Sequence, residues 1–374
     1  MARRTSRRPF AVLFALAAAS LAPAARAQSV RRTENVVLIV SDGLRWQEVF
    51  RGADSTLVNQ RWGGVDDSVA LRRAFVRDEP AAARRALLPF LWDSIGRNGQ
   101  LFGNVSAGSS AAVTNGLKFS YPGYSEMIAG HADSRINSND APPNPNLTVF
   151  EWLGREPGYR GRVAVFGTWD AFPRIFNRDR SGLPIHAGWE TPFATHPDGA
   201  EATMNRLYAT TTRFWGDELA YDSFMQAAVL DYVQRERPRV LFVGYGETDE
   251  WAHSRRYDQT LESAHRVDAF IAELWSTMQR IPQYRGRTTF IITADHGRGG
   301  TRNDWTDHGA KVVGAENIWI AVLGPDTPAL GERTNTAPVT QSQIAATLAT
   351  ALGLDYQSVE PAAAAPITSA VSGR

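Results

Sequence analysis

Five stretches of the chain are apolar almost without interruption and end in Gly or Asp: NVVLIVSDG (35–43), RVAVFGTWD (162–170), RVLFVGYGETD (239–249), TTFIITADHG (288–297) and NIWIAVLGP (317–325). A strand wetted on one side alternates apolar and polar residues, so continuous runs predict strands buried on both faces. Helical patterns fall between them, in LPFLWDSIGRNG (88–99), DSFMQAAVLDYVQRE (222–236), TLESAHRVDAFIAELWSTMQRI (260–281) and QSQIAATLATALGL (341–354). Strand alternating with helix predicts an α/β fold with a mostly parallel central sheet covered by helices on both faces. The Pro-rich NDAPPNPNL (139–147) and the aromatic, turn-rich region 171–215 read as insertions over one sheet edge. Residues 28–360 read as one large domain, and 361–374 (PAAAAPITSAVSGR) as a loose tail.

The first 27 residues break this pattern. Arg3, Arg4, Arg7 and Arg8 precede the apolar run FAVLFALAAASLA, and Ala25-Arg26-Ala27 places small residues two apart. That is the layout of an export signal cut after Ala27, and the apolar run is shorter than the roughly 20 residues of a spanning helix. The expected location is periplasmic or secreted with no stable membrane span after cleavage. Ser6-Arg7-Arg8-Pro9-Phe10 also resembles a twin-arginine signal. Of 40 Lys+Arg, the segment takes five (Arg3, Arg4, Arg7, Arg8, Arg26) and no acid, leaving 35 against 39 acidic side chains and a net charge near −4. No basic excess remains of the kind phosphate-backbone binding uses, so specific nucleic-acid binding is not expected. Cysteine is absent, which excludes disulfides and thiolate chemistry and restricts any metal site to His, Asp, Glu or hydroxyl ligands.

In open α/β sheets ligands bind at the carboxyl ends of the strands. Asp42, Asp249 and Asp295 all follow predicted strands there. One such aspartate is an ordinary turn former; three on one rim repel one another, and divalent cations are the usual remedy. His253 lies one helical turn after Asp249, His296 adjoins Asp295, and His308 sits in the Gly-bounded loop GGTRNDWTDHG. Carboxylates with imidazoles and no thiolate suit zinc, with manganese or another divalent ion also compatible. His265 reads as a packing or surface residue in mid-helix. In GLKFSYPGYSEMIAG (116–130), Ser120 precedes Tyr121-Pro122 at a predicted helix start, either as a simple cap or as a hydroxyl at an anion-favouring N-terminus.

Taken jointly, Asp42 in IVSDG, Ser120-Tyr121-Pro122 with Gly130 eight residues beyond the proline, Glu247-Thr248-Asp249 with His253, Asp295-His296-Gly297 and His308-Gly309 resemble the alkaline phosphatase superfamily over roughly residues 35–350. Within it they are most similar to type I phosphodiesterases and nucleotide pyrophosphatases. The resemblance implies an alkaline phosphatase-like fold and two divalent ions. One would be held by Asp249, His253 and His308, the other by Asp42, Asp295 and His296. It implies Ser120 as the nucleophile, contacting metal and forming a phosphoseryl intermediate on a small-molecule phosphate ester. Asn139, or else Asn137, resembles the asparagine that hydrogen-bonds a nonbridging phosphoryl oxygen.

Departures from the family pattern bear on substrate. The phosphodiesterase branch often reads Thr-Phe-Pro-Asn where this chain has Ser120-Tyr121-Pro122-Gly123. Sulfatases carry a basic residue where Tyr124 stands, which disfavours that class. Some phosphomonoesterases of the superfamily add a Lys-x-Arg pair; the matching stretch, Gly167-Thr168-Trp169-Asp170, lacks it, which leans toward a phosphodiester. Lys118, Arg174 or Arg178 could still supply a positive charge, keeping a phosphomonoesterase as the alternative. A metal-containing binding protein without turnover is the other. Trp169, Phe172, Phe176, Trp189 and Phe193 form either a roof over the sheet or a platform for a leaving group, and the roof is favoured.

Overall fold

Strand β1 (Asn35–Ser41) lies at the centre of an eight-stranded sheet. The other members are β2 (Gln100–Phe102), β4 (Val163–Gly167), β5 (Ile185–Ala187), β6 (Val240–Tyr245), β7 (Thr288–Thr293), β9 (Ile320–Leu323) and β10 (Gly331–Glu332). Their order is β10-β2-β9-β7-β1-β6-β4-β5. Strands β3 (Ala111–Ala112), β8 (Asn317–Ile318) and β11 (Val339–Thr340) make a separate three-stranded sheet. This computed structural model describes residues 1–2, 31–190 and 199–371. The expected export signal therefore lies almost entirely outside the described residues, as do Phe193 and His196. The fold described is that of the unit Arg31–Arg374.

β1 pairs in parallel with both β6 and β7, and β4 continues the parallel set. Both faces of β1 are covered. Val37 and Ile39 pack into a core with the helices Asp222–Arg235 and Tyr257–Arg280. Val36, Leu38 and Val40 pack into a second core with the helices Ser120–Ala129, Val149–Arg155 and Gln343–Ala351. Each fully buried Val, Leu or Ile contributes about 1.5–3 kcal/mol, so a run without alternation is what two cores select.

Two expectations are corrected. The run 317–325 is not one strand: it divides into β8 and β9, and β9 runs antiparallel to β7. No helix lies between β7 and β8, and a chain that returns without a helical crossover reverses direction. The segment from 361, read as a loose tail, is packed as far as residue 371. Ala363, Ile367, Ala370 and Val371 are buried in the same core as the Gln343–Ala351 helix. Gln100 Nε2 donates to the Ser369 carbonyl at 2.7 Å, and Ala364 N–H to the Gly130 carbonyl at 2.8 Å. Within 171–215, β5 joins the sheet as its edge strand beside β4.

Candidate metal centre and nucleophile

Because β7, β1 and β6 are neighbours, their carboxyl ends bring Asp295, Asp42 and Asp249 to one rim. Asp249 and His253 lie one turn apart on the helix Glu247–His253, with His253 Nε2 3.0 Å from Asp249 Oδ2. His308 joins them from its loop, its Nε2 2.9 Å from that of His253. Asp42, Asp295 and His296 form the second group, with His296 Nε2 3.3 Å from Asp42 Oδ1 and 3.5 Å from Asp295 Oδ2. Within each triad the ligand atoms fall within 4.8 Å of one another. Close approach of backbone is needed at Gly43, at φ +57°, where a Cβ would overlap the Asp249 carboxylate.

The rings are held so that a lone pair faces inward. His296 Nδ1 donates to the Gly297 carbonyl at 2.9 Å and His308 Nδ1 to the Lys118 carbonyl at 3.2 Å. A carbonyl accepts only from N–H, so in the neutral form of both rings Nε2 carries the lone pair toward the carboxylates. Asp42 Oδ1 and Asp295 Oδ2 are buried with no hydrogen-bond partner. Orphaned carboxylate oxygens facing imidazole lone pairs fit divalent cations.

Electrostatics carry the same signature. Burial, and next the charge of Asp249, push the Asp42 carboxyl up to about 7. Burial with Asp42 and Asp249 raises Asp295 well above the carboxylate range. Asp249 is the exception: burial raises it, but the buried Arg298 guanidinium and His253 outweigh this and hold it well below its ordinary value. Arg298 Nη2 bonds Asp249 Oδ1 and also its carbonyl, the latter at 3.0 Å. Burial lowers His296 to about 4, and burial together with His296 lowers His308 to about 3.

Ser120 opens its helix rather than capping it, since the cap position is Phe119. It is 7% exposed, and its Oγ lies 3.4 Å from His296 Nε2. Gly123 lets this helix approach the Asp295 backbone, which a Cβ at that position would strike. The loop before it is tied by the buried Glu126 carboxylate, which accepts from Thr114, Asn115 and Ser342. Asn139 Oδ1 accepts the Tyr121 N–H at 3.0 Å, which turns its NH₂ group away from that donor. Asn139 lines the same cavity as Ser120, whereas the exposed Asn137 does not.

That cavity, about 370 Å³, also meets Asp42, Asp249, His253, His308, Trp169 and Arg174. Of the three cations considered from sequence, only Arg174 reaches it; Lys118 pairs with Glu316 at 2.8 Å and Arg178 with Glu190. Asp140, Asp170, Glu218 and Glu250 line its wall. Phe172 and Phe176 are core, while Trp169 is half-buried at the cavity. His265 Nδ1 donates to the Leu87 carbonyl at 2.7 Å, a packing role. Sequence reasoning missed Arg298, Glu126 and Tyr124, whose hydroxyl donates to Asp42 Oδ2 at 3.0 Å.

Residues 217–356 match the family model of the metalloenzyme superfamily. No curated protein matches the chain. Among solved structures, a protein of the alkaline phosphatase superfamily from Vibrio parahaemolyticus is 14% identical with a TM-score of 0.52, over 90% of this chain and 70% of that one. A 2-O GAG sulfatase is 13% identical with a TM-score of 0.56, over 91% and 75%. The phosphonate monoester hydrolase of Agrobacterium radiobacter is 12% identical with a TM-score of 0.53, over 91% and 78%. The mostly parallel sheet flanked by helices is thus an alkaline phosphatase-like fold.

Proposed function

We propose that this chain is an exported, metal-dependent hydrolase of phosphate esters, a phosphodiesterase of the nucleotide pyrophosphatase type. The observation that carries the reading is the Ser120 hydroxyl at 3.4 Å from His296 Nε2, beside two carboxylate–imidazole triads with orphaned oxygens. Two divalent ions, zinc foremost and manganese compatible, would be held by Asp249, His253 and His308 and by Asp42, Asp295 and His296. When bound they supply positive charge to the reacting oxygens and ease loss of the hydroxyl proton.

Ser120 Oγ attacks phosphorus; a Ser–O–P bond forms as the bond to the leaving alcohol breaks. Water then cleaves the phosphoseryl ester, returning the serine hydroxyl and releasing the phosphoryl product. The Asn139 amide donates to a nonbridging oxygen, where charge gathers in the transition state. Arg174, the one Lys or Arg among the described residues of a wall that also carries Asp140, Asp170, Glu218 and Glu250, suits the single charge of a diester better than a dianion. A monoesterase is the second reading, favoured by Arg174 Nε, which is buried without a partner.

The test is zinc-loaded protein assayed on bis-p-nitrophenyl phosphate, p-nitrophenyl phosphate and p-nitrophenyl sulfate. Diester hydrolysis fastest, abolished in Ser120→Ala with metal content unchanged, is the expected result. A monoester preference overturns the diester assignment; bound metal with no turnover favours a binding protein.

A further inference from the structure

The catalytic cavity carries more negative charge than its metal triads account for, and the excess is built into one part of its wall. Two segments distant in the chain are zipped together there. Ala220 N–H donates to the Thr168 carbonyl and Asp170 N–H to the Glu218 carbonyl, both at 2.8 Å, and Trp169 bridges antiparallel to Leu219. The zipper sets Asp170 opposite Glu218, both exposed and both lining the cavity with the half-buried Trp169. Asp140, also exposed, joins them from the Pro-rich loop. Burial raises the Asp170 carboxyl; Arg174 opposes this, and the charges of Glu218 and Asp140 add to it, so the three acids lie within one another's fields. None of the three forms an ion pair among the described residues. Arg174, the guanidinium nearest to hand, donates instead to the Asn139 carbonyl at 3.3 Å.

Unpaired acids on this wall would repel a phosphodiester, itself an anion, unless the same molecule brought a compensating positive charge. A further metal ion does not fit the arrangement. Among the described residues only the two triads gather three ligand atoms within 4.8 Å of one another, and Asp140, Asp170 and Glu218 belong to neither. Carboxylates spread around an indole suit a large, diffuse cation, because an alkylammonium is held by distributed negative charge and by an aromatic face without short ligand distances. We propose, on the phosphodiesterase reading of this cavity, that its substrates carry a small alkylammonium group on one ester arm, as a choline phosphodiester does. Asp170, Glu218 and Trp169 receive that group while the phosphoryl centre lies at Ser120. These three residues determine specificity; none of them touches the reacting atoms.

Calorimetric titration of full-length, zinc-loaded Ser120→Ala protein tests this with two esters of equal size: p-nitrophenyl phosphorylcholine and its isostere in which a quaternary carbon replaces the ammonium nitrogen. The choline ester binds at least tenfold tighter. Adding Asp170→Asn with Glu218→Gln brings the two affinities within threefold by weakening the choline ester, zinc content and circular dichroism being retained. In the parent protein the preference also shrinks as NaCl rises from about 0.05 to 0.5 M, since exposed carboxylates are screened. Equal affinity for the two esters, a preference insensitive to salt, or one that survives in the folded double variant would overturn the assignment. Turnover by wild type separates the two readings. Hydrolysis of both esters with equal affinity keeps the phosphodiesterase and refutes the ammonium group; tight, selective binding of the choline ester without hydrolysis does the reverse.

Discussion

Replacing Asp42 by Asn separates the cost of the metal centre from its benefit. The Asp42 carboxyl is raised from 3.8 to about 7 by burial and by Asp249, a shift of roughly three units, or about 4 kcal/mol. The sign follows from the direction. A carboxyl whose folded value exceeds its unfolded one contributes fully below about pH 4 and loses that contribution as pH rises through 7. In metal-free protein, Asp42→Asn removes the ionisation and keeps an acceptor for the Tyr124 hydroxyl. The variant therefore gains about 4 kcal/mol over wild type at pH 8 and about 1–2 kcal/mol at pH 5, or roughly 5–10 °C in Tm at the higher pH. Calorimetry of chelator-treated protein at the two pH values reads this. Zinc reverses the order, because Asn is a poorer ligand and the wild-type carboxylate is freed from proton competition. A metal-free variant no more stable than wild type at pH 8, or a gap that does not widen with pH, would refute the reasoning.

Three other outcomes follow. Asn139→Ala lowers kcat by about 10²–10³, whereas Asn137→Ala leaves it unchanged in steady-state assays on a diester. Arg298→Met frees Asp249 from its guanidinium partner and weakens zinc binding by about 10–100-fold, measured by competition with a chromophoric chelator, because the carboxylate loses the group that orients it. N-terminal sequencing of protein recovered from outside the cytoplasm begins at Gln28; a chain there still starting at Met1 contradicts cleavage after Ala27, and recovery only from the cytoplasm contradicts the export reading.

The readable part of the fold was the part with strong periodicity. Continuous apolar runs marked β1, β4, β6 and β7 because burial on two faces leaves no polar position to confuse the period. Their terminal aspartates, in turn, located the rim. β2, β3, β5, β10 and β11 span only two or three residues each and are held by neighbours, so no local pattern announces them. The segment after 360 misled because Ala and Pro suggest a loop, yet small apolar side chains without a period still fill a core groove. Arg298 and Glu126 were invisible for a related reason: a buried charge is defined by its partner, here Asp249 or the Thr114–Asn115 turn, and partners distant in the chain leave no spacing to read.

The central claim is that two triads converge on two cations beside one hydroxyl. Anomalous diffraction at the zinc edge from crystals of the zinc-loaded protein measures it directly. Two peaks are predicted, one bounded by Asp249, His253 and His308 and one by Asp42, Asp295 and His296, with Ser120 Oγ facing the pair. A single peak, or zinc bound elsewhere with both triads empty, would contradict it.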